Sequence, residues 1–192
     1  MKIGVLAAQG AFAEHIAALK RLDVEAVAIR LPGELKGVEG LIIPGGESTT
    51  ISRLMTAYEL MKEITSRAGE GLPIFGTCAG MILMAKQISG NSAKSLGLMD
   101  INIKRNAFGR QVDSFETKLK IPALGKKAFP GIFIRAPKIE NYTDEVEVLS
   151  RLDDGTIVAA RQGKLLVTAF HPELTDDLRF HRYFLEIVSG DR

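Results

Sequence analysis

The sequence predicts an α/β fold: a central, mostly parallel sheet wrapped by helices in the flavodoxin-like manner, with antiparallel strands added to it. Three observations predict it. In the N-terminal half, short apolar runs alternate with longer stretches whose apolar residues recur at helical spacing, the rhythm of parallel strands joined by crossover helices. After about residue 96, strand patterns follow one another closely, separated by turns such as Asp153-Asp154-Gly155. No repeat, low-complexity tract or linker interrupts the 192 residues, 46% of which are hydrophobic, so one core and a single domain over residues 1–192 are expected.

The elements follow in order. Residues 2–7 are an apolar run of the kind covered on both faces of a sheet. Gln9-Gly10 breaks it. Residues 11–22 set Phe12, Ile16, Leu19 and Leu22 at helical spacing, with Glu14, Lys20 and Arg21 elsewhere on the helix. Residues 24–29 and 40–43 read as the second and third strands, the latter ended by Pro44-Gly45-Gly46. Ser48 is placed to cap a helix running through the fifties and sixties. Residues 73–76 are a fourth strand, and residues 81–87 read as helix. Residues 98–104, 115–121, 132–134, 146–149, 156–160 and 165–170 read as further strands, and residues 176–188 as a closing helix. His15 and His181 read as helix-surface residues.

Charge narrows the range of partners. The chain carries 25 basic and 23 acidic residues, so it has no bulk electrostatic reason to coat nucleic acid or an anionic membrane. Lys104, Arg105, Arg110, Lys118, Lys120, Lys126 and Lys127 crowd the middle and read as a solvated face interleaved with acids. The one cysteine, Cys78, excludes an intramolecular disulfide and fits a reducing cytoplasm. The first residues read as a buried strand rather than a signal peptide, and no apolar run approaches the roughly 20 residues of a membrane span.

Three motifs carry chemistry. Gly76-Thr77-Cys78-Ala79-Gly80 follows a strand and opens a helix, the pattern G-x-nucleophile-x-G of a nucleophile elbow in its cysteine form. Flanking glycines let the backbone turn sharply, so the side chain stands exposed at the turn, and the helix start beside the sulfur favours negative charge there. The alternative for a lone cysteine is a small buried hydrophobe. The second motif, His171-Pro172-Glu173, ends an apolar run. A cysteine nucleophile needs a base, and the base benefits from an acid that fixes its tautomer and steadies its cation. Taken alone, His-Pro-Glu could be an ordinary loop. The third is Pro44-Gly45-Gly46-Glu47-Ser48-Thr49-Thr50, where two glycines let backbone amides approach a ligand closely. It lacks the lysine of a phosphate-binding P-loop, and a plain strand–helix turn is its alternative.

Taken along the chain as Pro44-Gly45-Gly46, Gly76 to Gly80 and His171-Pro172-Glu173, the three motifs resemble those of class I, triad-type glutamine amidotransferases. More narrowly, the chain is similar to the glutaminase subunits of pyridoxal 5′-phosphate synthase, essentially end to end. The narrow signals are Arg105-Asn106-Ala107-Phe108-Gly109-Arg110-Gln111 with the following Ser114-Phe115, and Phe133-Ile134-Arg135-Ala136-Pro137. Gly4-Val5-Leu6, Gln9-Gly10, Glu14-His15 and His171-Pro172-Glu173-Leu174-Thr175 also match.

The resemblance implies a three-layer fold and a catalytic triad of Cys78, His171 and Glu173. It implies an oxyanion hole from the N–H groups of Gly46 and Ala79. It maps glutamine binding to Gly46, Glu47, Ser48, Arg105, Ile134 and Arg135. An arginine fork meets a carboxylate with two parallel hydrogen bonds, although Arg105 and Arg135 could instead serve structural ion pairs. The implied reaction is hydrolysis of L-glutamine to glutamate and ammonia, with no metal or redox cofactor required and no pyridoxal-phosphate site in this chain. The implied partner is a (β/α)8-barrel synthase subunit in a large hetero-oligomer, which takes up the ammonia. Gln9, Gly10, Glu14 and His15 are the implied interface, where the Gln-Gly peptide reorients to complete the oxyanion hole. A merely tight turn at Gln9-Gly10 is the alternative. Two other readings stand beside this one. The first is another hydrolase of the same architecture, a γ-glutamyl hydrolase or cysteine peptidase. The second is a non-catalytic regulatory subunit.

Overall fold

A computed structural model describes residues 1–90, 94–105 and 114–192. The stretch Asn106-Ala107-Phe108-Gly109-Arg110-Gln111 lies outside the described residues. The chain begins with β1 (Lys2–Leu6), α1 (Phe12–Lys20), β2 (Glu25–Ile29), β3 (Gly40–Ile43), α2 (Ser48–Ala57), α3 (Leu60–Gly69), β4 (Ile74–Thr77) and α4 (Ala79–Met84). It continues through β5 (Ala85–Ser89), β6 (Met99–Lys104), β7 (Ser114–Leu119), β8 (Phe129–Ile134), β9 (Lys138–Tyr142), β10 (Glu147–Arg151), β11 (Ile157–Gln162) and β12 (Leu165–Thr168), and closes with α5 (Arg179–Ser189).

The main sheet runs β2-β1-β3-β4-β12-β11-β9-β6-β5, with β10 paired to β11. Its first five strands are mutually parallel, and the order 2-1-3-4 is that of a flavodoxin-like doubly wound sheet. Beyond β12 the pairings β12–β11, β11–β9 and β9–β6 are antiparallel, while β5 and β6 are parallel. β7 and β8 form a separate antiparallel hairpin. Every residue of β3 and β4 is buried, as befits central strands covered on both faces. On one face α5 turns Phe180, Tyr183, Phe184 and Ile187 inward. Phe180 meets Phe129 and Phe170 edge to face at 5.0 and 5.3 Å between ring centroids. Among the described residues no helix is long and apolar enough to cross a membrane.

Several sequence expectations need correction. Ser48 does not cap α2; Glu47 does, its carboxylate accepting the N–H groups of Thr49 and Thr50 at 2.9 and 2.7 Å. The helix through the fifties and sixties is two, broken where Glu59 takes a left-handed φ of 60°. The helix after Cys78 stops at Met84, and residues 85–89 pair with β6 as strand. β9 has no counterpart in the sequence reading, because Lys138-Ile139-Glu140-Asn141-Tyr142 carries little apolar character. His15 and His181 are not on a surface. Both are completely buried.

The parallel region positions the site. β1, β3, β4 and β12 are neighbours and point the same way, so the segments that leave their C-terminal ends meet along one edge of the sheet. Those segments carry Gln9-Gly10, Pro44-Gly45-Gly46, Cys78 and His171. Such a carboxyl edge is where open α/β sheets bind ligands.

Candidate active site

The turn at Cys78 is built by its glycines. A Cβ at Gly76 would come 2.7 Å from the backbone of Gly80, and a Cβ at Gly80 would come 2.0 Å from the carbonyl oxygen of Ile43. Only glycine lets strand, turn and helix start pack so closely. Between them Cys78 adopts φ 48° and ψ −100°, a sparsely populated conformation for a residue with a side chain. Its N–H donates to the carbonyl of Thr168 on β12 at 2.8 Å, holding the strained peptide in place. The sulfur stands 3.7 Å from the carbonyl oxygen of Ile134, at the end of β8.

His171 follows β12, and its N–H donates to Ile132 O at 2.8 Å. Pro172 starts a single 3₁₀ turn, Pro172–Leu174, which folds Glu173 back beneath the imidazole. His171 Nδ1 and Glu173 Oε1 are 2.7 Å apart and buried. Burial alone would push the His171 imidazole down. The hydrogen bonds to Cys78 and Glu173, with the negative charge beside it, outweigh burial and raise its pKa to about 10. Burial likewise pushes the Glu173 carboxyl up, but His15 and the His171 hydrogen bond prevail and hold it below the usual carboxylate range. The group can therefore hold an imidazolium between sulfur and carboxylate.

An open cleft of about 460 Å³ lies over the sulfur. Gly46, Glu47, Ser48, Arg105, Ile134 and Arg135 all line it together with Cys78 and His171. All six predicted substrate positions thus meet at one cleft. Ser48 Oγ is buried and finds no hydrogen-bond partner among the described residues. The Glu47 carboxyl is held down to about 2, by the Thr50 hydroxyl first and then, against partial burial, by the Thr49 and Thr50 N–H groups. Arg105 Nη2 lies 3.6 Å from Glu47 Oε1, so this arginine has an ion pair as well as a place in the cleft. Arg135 sits at φ 45°, a second strained residue on the cleft wall.

The turn after β1 is clamped to the glycine loop. Glu47 N–H donates to Gln9 Oε1 at 2.8 Å and Ala11 N–H to Gly45 O at 3.1 Å. Gly10 has φ 99°, and a Cβ there would stand 1.8 Å from Gly45 O. Glu14 is exposed on α1, but His15 points the other way, into the protein, and cannot present its side chain at an interface.

Sequence reasoning gave Ile82, Ser114 and His181 no place in the site and set His15 at an interface instead. Ile82 and Ser114 line the cleft. His15 and His181 lie beneath the His171–Glu173 pair, with His15 Nε2 3.4 Å from Glu173 Oε2 and Nδ1 3.0 Å from His181 Nε2. A signal existed: His15 falls three residues after Phe12 and four before Leu19, on the apolar stripe of its helix.

The chain is similar to known proteins over nearly its whole length. A relative from Herpetosiphon aurantiacus, "Pyridoxal 5'-phosphate synthase subunit PdxT", is 60% identical over 188 residues, covering 96% of this chain and 99% of its own. Another of the same name, from Carboxydothermus hydrogenoformans, is 56% identical and covers 98% of both. A crystal structure described as a glutamine amidotransferase superposes with a TM-score of 0.93 at 50% identity, over 97% of this chain and 98% of that one. With residues 5–189 matching its family model, the chain whose elbow, loop and buried His–Glu pair share one cleft belongs to the SNO glutamine amidotransferase family.

Proposed function

We propose that this chain is a single-domain glutaminase that hydrolyses L-glutamine and delivers the ammonia to a partner subunit for pyridoxal 5′-phosphate synthesis. The observation that carries the reading is the position of Cys78, next to His171 and its buried Glu173, at the floor of a cleft with a free serine hydroxyl and two arginines. The names of the full-length relatives, synthase subunits, support the pathway and the partner. A (β/α)8-barrel synthase subunit in a hetero-oligomer is the acceptor, and the cytoplasm its location.

The chemistry follows from the residues. Cys78 sulfur attacks the side-chain carbonyl carbon of glutamine, and the C–S bond forms as the oxygen takes up negative charge. N–H groups of Gly46 and Ala79 receive that oxyanion; among the described residues Gly46 N–H has no acceptor of its own. The His171 imidazolium then gives its proton to the amide nitrogen, the C–N bond breaks, and ammonia leaves a γ-glutamyl thioester on Cys78. Neutral His171 next takes a proton from water, whose oxygen attacks the thioester. Collapse expels the sulfur, and glutamate departs. Glu173 keeps Nε2 of His171 facing the sulfur by holding Nδ1. Arg105 or Arg135 meets the substrate α-carboxylate and Ser48 Oγ a second polar group, which fixes the amino-acid end.

The test is ammonia release from glutamine by the chain with its synthase partner, with Cys78→Ala as control. Equal release by a folded Cys78→Ala protein overturns the nucleophile. Turnover of short peptides in preference to glutamine returns the chain to the peptidase reading.

A further inference from the structure

Beneath the triad, four polar side chains from four elements are sealed from solvent. They are His15 on α1, Thr77 at the end of β4, Glu173 in the turn after β12 and His181 on α5. His15 joins the other three. Its Nδ1 is 3.0 Å from His181 Nε2, and its Nε2 is 3.1 Å from Thr77 Oγ1 and 3.4 Å from Glu173 Oε2. Glu173 Oε2 accepts no full hydrogen bond among the described residues, so His15 Nε2 is what faces it. Thr77 Oγ1 also accepts the N–H of Gly45 at 3.1 Å, tying the same cluster to the glycine loop.

The contacts favour one set of proton positions. Suppose His15 carried its proton on Nδ1. A lone pair would then face the carboxylate, and His181 would have to accept at Nε2 and leave Nδ1–H buried with no acceptor. With protons on Nε2 of both rings, His15 directs an N–H between Thr77 and Glu173, and His181 donates to His15. Among the described residues this leaves a lone pair on His181 Nδ1 and the Thr77 O–H without partners, but it alone turns an N–H rather than a lone pair of His15 toward the carboxylate. Both rings remain neutral, as complete burial requires.

We propose that His15 is a positioning residue for the glutaminase reaction: its Nε2–H holds the second oxygen of Glu173, so that the first stays on His171. This rests on the glutaminase reading above. His15 touches neither sulfur nor substrate, so its loss should act on kcat and leave KM nearly alone.

The experiment measures glutamine hydrolysis by the chain with its synthase partner. His15→Leu should lower kcat roughly ten-fold, the rate equivalent of a hydrogen bond to a charged group, and His15→Gln, whose amide nitrogen occupies the place of Nε2, should recover most of it. In a Glu173→Ala background the leucine substitution should cost nothing further, since nothing is left to position. An unchanged kcat in His15→Leu, or an equal loss with and without Glu173, overturns the proposal. Should the leucine variant not fold, His15→Asn, which stops short of the carboxylate, takes its place with the same expectation. Independently of activity, ¹⁵N shifts of the wild-type rings should report both histidines as neutral Nε2–H tautomers. A Nδ1-protonated His15 overturns the proposal whatever the kinetics. A wild-type complex that releases no ammonia sinks the glutaminase reading instead, and the ring tautomers still decide whether His15 holds the carboxylate.

Discussion

Gly45 lies flat against the imidazole of His171: a Cβ at position 45 would stand 2.3 Å from Cε1 and 2.9 Å from Nδ1. The glycine loop therefore does more than expose amides to a ligand. It forms one wall of the slot in which the base is held, with the carboxylate of Glu173 at the other side.

Gly45→Ala should accordingly lose activity through His171. Residue 45 has no left-handed φ, so alanine suits the backbone and only the ring must move. A displacement near 1 Å of a catalytic group costs on the order of 100-fold in rate. Steady-state kinetics beside a thermal melt checks this. A folded Gly45→Ala protein with wild-type kcat would mean that the ring has room the structure does not contain.

His171 should titrate far above a free imidazole. Its pKa is raised to about 10 by Cys78 and Glu173 against burial, so Cys78→Ala and Glu173→Gln should each lower the titration midpoint seen by NMR. The linked stability has a definite sign. A raised folded value means the contribution is fully present below about 6.5 and is lost as pH climbs through 10. Glu173→Gln should flatten that alkaline decline, and an unaltered slope would contradict the pairing.

Arg105→Lys should weaken substrate capture more than chemistry. Lysine keeps the charge but loses the planar fork, so about 1–3 kcal/mol of binding should go, seen as a raised KM with kcat less affected. The Glu47 contact, 3.6 Å away, offers the rival structural role. If Arg105→Lys lowers the melting temperature and leaves KM unchanged, that role is the whole of it.

Much of this site was legible in the sequence because its chemistry is carried by short motifs on successive strand ends. Gly76 to Gly80 and His171-Pro172-Glu173 each combine a glycine or proline constraint with a reactive side chain, Gly45-Gly46 bares backbone amides, and such constraints are local. The parallel half of the sheet was legible for the same reason: its strands are continuous apolar runs. What was missed depends on distant contacts. β9 is a polar strand that exists because β6 and β11 flank it. The Ser48 cap went to Glu47, one residue earlier, where a longer carboxylate reaches two N–H groups at once. The apolar stripe of α1 marks His15 as inward-facing, but only the packing of α1 and α5 on the sheet brings it to His181 and Glu173.

That buried pair should make the protein acid-sensitive. Burial, with the neighbouring His15, lowers His181 to about 3, and burial also lowers His15. Unfolded histidines gain protons below about 6.5 that these two refuse while folded, so stability is present above that pH and lost as it falls toward 3. The midpoint of urea unfolding should drop between pH 7 and 4 less steeply in His181→Gln, which keeps a donor toward His15 but does not titrate. Parallel curves for the two proteins would show that the carboxylates alone set the acid limit.

The last prediction concerns control by the partner. The turn at Gln9-Gly10 is bound to the glycine loop twice, through Ala11 N–H on Gly45 O and Glu47 N–H on Gln9 Oε1. Gly45 in turn lies on His171. A rotation of the peptide after Gln9 would therefore be felt at the loop that carries Gly46 N–H, the proposed oxyanion donor. Such a rotation needs a residue free to cross between φ regions, and at Gly10, with φ 99° and Gly45 O 1.8 Å from where a Cβ would be, any side chain would have to push the Gly45 peptide aside. As an isolated chain the protein should be a weak glutaminase, and adding the synthase subunit should raise kcat. Gly10→Val should blunt that rise while Cys78 still reacts with a small alkylating agent, because Cys78 lines the open cleft and neither Gln9 nor Gly10 does. Full activity of the isolated chain, unmoved by the partner, would leave Gln9-Gly10 as a tight strand–helix turn and the triad as it stands.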